Sequence, residues 1–352
     1  MPKNQKRYRL SQDEWELIDD YREEKKRDKQ LLKECEESGI DFNTIKHYWY
    51  KSKKFSIFAK PNKLTQEDLL KSIEELITSY SPKYPEINYP KRKEPHLLII
   101  NPADVHIGKY SNSKETGLDY NIEIAKDRVR EGVKGIIEKA EGFEIEKIVF
   151  CIGNDILHVD GINKTTTKGT LQDQDGAWFE HFTEALSLYV EIIEMLIQIA
   201  PVEAIHSMSN HDYVSGFHLA HALKSWYRNS NSVKVDANPN PRKYFKWKNS
   251  LIGLTHGDGP KLNNLPLLMA QERPNLWAGT KYRYFYLHHI HHKQRYKFLT
   301  SFDNIGVTIE YLRSPSNADS WHHQKGYTGS IKAVEGFIHS KFGQIAHLTH
   351  IF

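Results

Sequence analysis

The stretch that decides the fold is IVFCIGNDILH, residues 148–158, in which a short apolar run ends in a group of polar side chains. Similar apolar runs begin at Leu97 and at Val202. Longer helical patterns, around residues 121–141 and 176–200, separate the three runs. This alternation predicts two βαβ steps, and therefore a parallel sheet in an α/β fold.

A second strand pattern follows further along the chain. Residues 243–247 and 251–254 flank Lys248-Asn249-Ser250, which has the composition of a turn between two strands. We therefore predict a β-hairpin at this place.

Groups of side chains able to bind metal follow the predicted strands. They are Asp104-Val105-His106, Gly153-Asn154-Asp155-Ile156-Leu157-His158, Ser209-Asn210-His211-Asp212, Thr255-His256-Gly257-Asp258 and His288-His289-Ile290-His291-His292. The carboxyl ends of successive strands meet at one edge of an open α/β sheet, so we expect the five groups to converge there. Residues i and i+2 of an extended segment point the same way, so Asp104 and His106 offer two donors to one place. The same holds for His289 and His291.

The donor types restrict the metal. Carboxylates, imidazoles and an amide oxygen suit ions such as Mn, Fe and Zn, whereas Ca draws oxygen ligands only. None of the five groups contains a cysteine, which excludes a structural zinc site of the thiolate type. The sequence thus predicts a site for divalent metal.

The order of these motifs resembles that of the calcineurin-like metallophosphoesterase superfamily, over about residues 97–315. The second motif, with His158 three residues after Asp155, is similar to that of the DNA-repair exonuclease branch. The run from Thr165 to Asp173, together with a basic N-terminus, resembles metallophosphoesterases carried by bacteriophages and prophages. The resemblance implies an αββα sandwich and the hydrolysis of phosphoesters.

The resemblance also implies two metal ions, with Mn expected and Fe or Zn as alternatives. Its ligands for the first ion would be Asp104, His106, Asp155 and His291, and those for the second Asp155, Asn210, His256 and His289. Asp155 would bridge the two ions. His211 would protonate the leaving oxygen, Asp212 would orient the ring of His211, and His158 would assist near the leaving group.

Three positions depart from the motifs of the family. The usual Gly-Asp is Gly153-Asn154-Asp155 here, and we take Asp155 as the ligand because only it places His158 three residues on. Ser209 and His288 stand where glycine is usual. Neither replacement removes a ligand.

The N-terminal region has a different character. Residues from about 10 to 60 have helical patterns, and a second helix predicted from Phe42 to Trp49 completes the outline of a helix-turn-helix. Basic side chains interleaved with aromatic ones suit a phosphate backbone, and the candidates for binding nucleic acid are Lys46, Lys51, Lys53 and Lys54. The alternative is a helical hairpin whose aromatic side chains pack on the main domain.

These patterns divide the chain into three parts. Residues 1–62 form the small helical unit, residues 63–95 form an amphipathic helix and a Pro/Lys-rich linker, and residues 96–352 form the catalytic domain. No apolar run of about 18 residues is present, so no membrane partner is expected. The N-terminus lacks the apolar core of a signal peptide, and two distant cysteines suit a reducing compartment, so we expect a cytoplasmic protein.

Three functions are compatible with the sequence. The first is a metal-dependent nuclease or phosphodiesterase on DNA or RNA, and the second is a phosphatase or phosphodiesterase on nucleotides or phosphoproteins. The third is a helix-turn-helix regulator whose metal domain only binds, although retention of every ligand argues against it. The net charge of +4 neither requires nor excludes nucleic acid. Trp321, His322 and His323 either line the site or belong to an exposed loop.

Overall fold

The computed structural model describes residues 26, 29–37, 40, 47–51, 56–59, 84–289, 301–304 and 306–352. The chain divides into two compact units, Met1–Ser81 and Pro82–Phe352. The division falls within the segment 63–95 that the sequence predicts as helix and linker. Tyr89 and Arg92, from the later part of that segment, donate hydrogen bonds to the carbonyls of Ile197 and Ile145 at 2.8 and 3.2 Å, so this part is held to the rest of the second unit.

In the first unit, residues 29–37 are helical, and an antiparallel pair of strands follows, β1 (Tyr48–Lys51) and β2 (Ser56–Ala59). The helix predicted from Phe42 to Trp49 is therefore wrong at its end, because Tyr48 and Trp49 lie in β1. The run of aromatic residues favours a strand once a partner strand is present to pair with it. Lys46, Lys53, Lys54 and the side chain of Lys51 lie outside the described residues, and so do residues 60–83, where most of the segment with the predicted amphipathic helix falls.

The second unit contains two sheets and seven α-helices among its described residues. Its strands are β3 (His96–Asn101), β4 (Ile145–Gly153), β5 (Val202–Ser207), β6 (Val233–Asp236), β7 (Arg242–Trp247), β8 (Ser250–Thr255), β9 (Tyr282–Leu287), β10 (Ser301–Asn304), β11 (Val307–Tyr311), β12 (Ala333–Ser340) and β13 (Gly343–Ile351). Its helices are α1 (Ser113–Thr116), α2 (Ile122–Lys139), α3 (Trp178–Leu196), α4 (Tyr213–Trp226), α5 (Leu265–Glu272), α6 (Pro274–Ala278) and α7 (Ser320–Gln324), and a 3-10 turn covers Leu262–Asn264.

The larger sheet has the strand order β13-β12-β3-β4-β5-β6, in which β3 to β6 are parallel. Helices α2, α3 and α4 connect these four strands in turn, which confirms the predicted βαβ steps. The smaller sheet has the order β10-β11-β9-β8-β7, in which β8, β9 and β11 are parallel. The predicted hairpin is β7 and β8, paired from Trp247 with Ser250 to Arg242 with Thr255.

Packing of the apolar faces produces four layers. Leu98 and Ile100 of β3 face the core that the larger sheet shares with α2, α3 and α4, whereas Leu97 and Ile99 face the second sheet. Side chains alternate along a strand, so a strand buried on both faces needs a continuous apolar run. Helices α5 and α6 cover the outer face of the smaller sheet through Leu265, Met269 and their neighbours. The predicted αββα sandwich is confirmed.

None of the helices within the described ranges is both long enough and apolar enough to cross a bilayer.

Candidate metal centre

The candidate ligands follow the carboxyl ends of five parallel strands. Asp104 and His106 come after β3, Asp155 comes after β4, and Asn210 comes after β5. In the smaller sheet His256 follows β8 and His289 follows β9. The two sheets are joined here, because the backbone N–H of His289 donates to both carboxylate oxygens of Asp104, at 3.2 and 3.1 Å. The predicted convergence of the strand ends is thus present.

The backbone at these strand ends is unusual. Five non-glycine residues of the motifs have positive φ angles, and they are Asp104 (50°), His106 (52°), Asn154 (53°), Asp155 (58°) and His289 (74°). A side chain in this left-handed region costs free energy that the surrounding structure must offset, and such residues cluster at functional sites. Backbone hydrogen bonds hold the strained segments together, including those from the N–H of His106 to the carbonyl of Asp155 at 2.9 Å and from the N–H of Asp104 to the carbonyl of Asn154 at 2.9 Å.

One group of potential metal-ligand atoms surrounds the Nε2 atom of His256. Asn210 Oδ1 lies 2.8 Å from this nitrogen, Asp155 Oδ2 lies 3.1 Å away, and His289 Nδ1 lies 3.2 Å away. One imidazole N–H cannot donate to three partners at once. Asp155 Oδ2 is buried and accepts no hydrogen bond from the described residues. A cation would satisfy all four atoms, so these residues fit a divalent metal.

A second group shares Asp155 with the first. Potential ligand atoms of Asp104, His106 and Asp155 lie within 4.8 Å of one another, as do those of Asp155, His256 and His289. All of these side chains except that of His289 are buried. Asp155 is the residue common to both groups, which is the position that a bridging carboxylate would occupy. His291 lies outside the described residues, so its predicted role as a ligand stays a prediction.

The charges of the two groups are strongly coupled. Burial raises the pKa of Asp104 to about 7, and the nearby charge of His256 opposes that rise. Burial also disfavours ionised Asp155, but His256 and His211 outweigh it and hold the pKa of Asp155 below its usual range. Burial lowers the pKa of His256, yet the Asp155 carboxylate raises it overall to about 9. The Asp155 carboxylate and the His256 ring, whose Oδ2 and Nε2 atoms lie 3.1 Å apart, therefore favour each other's charged forms.

His211 forms a third group of potential ligand atoms with His106 and His158, and its ring is held in one orientation. Its Nδ1 is 2.9 Å from the carbonyl oxygen of His158, which can only accept, so Nδ1 carries the proton. The backbone N–H of His211 donates to Asp155 Oδ1 at 2.9 Å. This leaves Nε2 as the ring atom available for proton transfer. His158 is buried, and its Nδ1 lies 3.5 Å from Nδ1 of His106.

The prediction that Asp212 orients His211 is wrong. The Oδ1 atom of Asp212 accepts from Ser209 Oγ at 2.5 Å, and its Oδ2 atom accepts from the N–H of Leu157 at 3.0 Å. The orienting group is instead the carbonyl of His158. Asp212 is buried, and burial followed by the charge of Asp155 raises its pKa to about 7. Asp212 thus links the segment after β4 to the segment after β5 through Leu157 and Ser209.

Ser209, which replaces the usual glycine, is a residue whose role the sequence did not reveal. Its Oγ accepts a hydrogen bond from the N–H of Asp155 at 2.8 Å and donates to Asp212. The serine therefore fixes the backbone of the shared carboxylate. His288, at the other replaced glycine, is fully buried, and its ring nitrogens have no hydrogen-bond partner among the described residues.

Asp160 is another residue whose role emerges only in the structure. Its carboxylate accepts the backbone N–H groups of Val214 and Ser215, at 3.1 and 2.8 Å, in the first turn of α4. It also accepts from Thr167 Oγ at 2.7 Å, and the N–H of Thr167 donates to the carbonyl of Asn210 at 3.2 Å. The loop after Asp160 is thereby anchored to the segment that carries Asn210 and His211.

The chain aligns with solved structures of two proteins. Vps29 from Entamoeba histolytica, as a single mutant, has 11% sequence identity and a TM-score of 0.30, and its double mutant has 11% identity and a TM-score of 0.28. Both alignments cover 72% of this chain and 99% of the Vps29 chain. The sulfate thiohydrolase SoxB from Thermus thermophilus, in complex with glycerol, has 8% identity and a TM-score of 0.33, with 76% of this chain and 58% of SoxB covered. No family model and no curated protein matches the sequence.

Proposed function

We propose that this protein is a dinuclear-metal phosphoesterase that hydrolyses phosphodiester bonds, and that its substrate is DNA or RNA. The observation that carries the proposal is the sharing of Asp155 between two groups of metal-ligand atoms at the joined edges of the two sheets. A carboxylate shared in this way is what two adjacent cations need. The order of the five motifs, similar to that of metallophosphoesterases, supports the same chemistry.

Most of the site residues would bind the two metal ions. Asp104, His106, Asp155 and His291 would hold one ion, and Asp155, Asn210, His256 and His289 the other. Bound there, the ions would supply Lewis acidity for activating water and for neutralising phosphoryl charge. Mn fits the mixed carboxylate and imidazole donors, and Fe or Zn are alternatives.

His211 is the proposed general acid. Its Nδ1–H is fixed by the carbonyl of His158, so a proton on Nε2 can pass to the leaving oxygen of the substrate. The N–H of His211 also contacts Asp155, which keeps the ring beside the metal-ligand groups. His158 is buried behind it and would support this region rather than exchange protons with solvent.

The choice of nucleic acid as substrate rests on two sequence features. The second motif is similar to that of DNA-repair exonucleases, and Lys46, Lys51, Lys53 and Lys54 lie among aromatic residues in the first unit. Those lysines would grip the phosphate backbone without reading its sequence.

The test is the hydrolysis of four substrates by the purified full chain with Mn added: p-nitrophenyl phosphate, bis-p-nitrophenyl phosphate, single-stranded DNA and double-stranded DNA. Turnover of the diester and of DNA, but not of the monoester, is the expected result. Turnover of the monoester alone would indicate a phosphatase. A chain inactive on all four substrates, yet loaded with two ions, would contradict the proposal and favour a module that only binds.

A further inference from the structure

Residues 320–332 form a segment, here called the aromatic ridge, that leads into β12 and exposes aromatic and basic side chains. Trp321 is 56% exposed and Tyr327 is 57% exposed, and their ring centroids lie 5.9 Å apart. The ring of His322 lies 5.0 Å from that of Trp321. Scattered exposed aromatics are ordinary, but two that contact each other form a surface with a ligand-sized face.

A buried ion pair fixes the start of the ridge beside the metal centre. Lys109, which follows His106 by three residues, is 1% exposed, and its Nζ lies 3.3 Å from Asp319 Oδ2. The other oxygen of Asp319 accepts from the backbone N–H of His322 at 2.9 Å and from its Nδ1 at 2.7 Å. Removing either partner would leave a buried charge unpaired, so this connection is rigid.

The ridge is also connected to a candidate ligand just before Asp319. The hydroxyl of Ser314 donates to the backbone carbonyl of Asp104 at 2.7 Å. Two residues span at most about 7 Å, so the backbone of Trp321 lies within that distance of Asp319. The start of the ridge is therefore attached to the segment that carries Asp104 and His106.

The charge of the ridge favours an anionic partner. Between Ser320 and Val334 the sequence contains no Asp or Glu, whereas it contains Lys325, Lys332 and two histidines. Exposed aromatic rings combined with positive charge are the pattern by which proteins bind single-stranded nucleic acid, because every base has a face that can stack. A duplex keeps its bases stacked inside and cannot use such a surface.

We infer that Trp321 and Tyr327 stack on the bases of a single-stranded nucleic acid whose backbone enters the metal centre, with Lys325 contacting phosphate. This inference rests on the proposed function and narrows it to single strands or unpaired ends. It also assigns a second nucleic-acid contact, in the second unit, that does not depend on the lysines of the first.

The experiment compares binding of two fluorescent oligonucleotides to the full chain in the presence of EDTA, which prevents hydrolysis. One is an oligothymidine of about 12 nucleotides, within the usual site size, and the other is an abasic oligonucleotide of the same length. The variants are Trp321→Ala, Trp321→Phe and Tyr327→Ala, and anisotropy gives each dissociation constant.

The matched control is Phe342→Ala. Phe342 is 68% exposed and lies beside Lys341, so it also combines an aromatic ring with a positive charge. It lies in the turn after β12, and β12 runs antiparallel to β3, with Glu335 paired to Asn101 and His339 paired to Leu97. Phe342 is therefore at the opposite edge of the sheet from the metal centre.

Stacking on one base is worth about 1–3 kcal/mol, so Trp321→Ala should weaken oligothymidine binding about 5–150-fold. Trp321→Phe should retain most of the affinity, and Phe342→Ala should match the wild type. On the abasic strand, Trp321→Ala and the wild type should bind equally. Equal losses on both strands, or no loss on either, would overturn the inference and leave the ridge as a surface for a protein partner.

Turnover of bis-p-nitrophenyl phosphate by the wild type separates this inference from the proposed function. Turnover without base-dependent binding would overturn the stacking role and leave the phosphoesterase in place. Base-dependent binding without turnover of any phosphoester would keep the stacking role and overturn the proposed phosphoesterase activity.

Discussion

Asp155→Asn should remove metal-induced stabilisation more completely than any other single change in the site. The substitution keeps the shape of the side chain and removes its charge. Asp155 belongs to both groups of ligand atoms, whereas His289 belongs to one. We therefore expect Asp155→Asn to impair both ions and His289→Ala to impair one.

The size of the effect follows from linkage. A metal present at about 100 times its dissociation constant stabilises the folded state by about 2.7 kcal/mol for each site. Two sites give about 5 kcal/mol, which raises Tm by about 10 °C in a unit of this size. The expected shifts are therefore about 10 °C for the wild type, about 5 °C for His289→Ala and about 0 °C for Asp155→Asn.

The assay is thermal unfolding with EDTA and with added Mn, Zn or Fe, together with metal analysis of the purified proteins. Asp258→Asn is the matched control, because Asp258 is an exposed carboxylate two residues from His256 and belongs to neither group. Added metal should raise the Tm of Asp258→Asn by as much as it raises that of the wild type. If Asp155→Asn retained two ions and the full rise in Tm, the bridging role of Asp155 would be refuted.

Three further outcomes are expected. His211→Ala should keep both ions but lose about 100–10,000-fold in rate on natural diesters, and less on a substrate with a good leaving group; equal losses on both would show that His211 is not the general acid. His339, which is buried with its Nε2 atom 2.8 Å from Tyr286 Oη, has its pKa lowered by burial to about 3. The unfolded chain binds this proton below about pH 6.5, so stability falls by about 1.4 kcal/mol per pH unit from there towards the folded pKa. In urea unfolding at several pH values, His339→Gln should remove that part of the slope, and an unchanged slope would contradict the assignment. The chain without residues 1–81 should retain turnover of small diesters. The slope of its log DNA affinity against log salt concentration should become shallower by about 0.7–0.9 for each phosphate contact that is lost. An unchanged slope in the truncated chain would show that the first unit does not bind DNA.

The sequence by itself determined the parallel strands and the place of the polar groups that follow them. The runs that became β3 and β4 are apolar at every position, which a strand buried on both faces requires. The polar groups follow these runs directly, and the carboxyl ends of parallel strands meet at one edge. Both signals are local in the chain, so the parallel strands and the convergence of their carboxyl ends could be predicted from them, whereas the αββα arrangement was implied by the family resemblance.

The first unit shows where a local pattern misleads. Aromatic residues near Trp49 can fit a helical or an extended segment. Pairing between β1 and β2 stabilises the extended form. That pairing depends on residues further along the chain, which periodicity over one segment does not reveal.

Only the tertiary structure decided how the site is held together. The carbonyl of His158 orients His211, and a backbone carbonyl has no signature in the sequence. The Lys109–Asp319 pair joins residues far apart in the chain, and its strength comes from burial that only folding creates. Whether a side chain could bind metal is a property of a single residue, whereas its orientation depends on several strand ends meeting at once, and that is why the sequence supplies candidates but not their orientation.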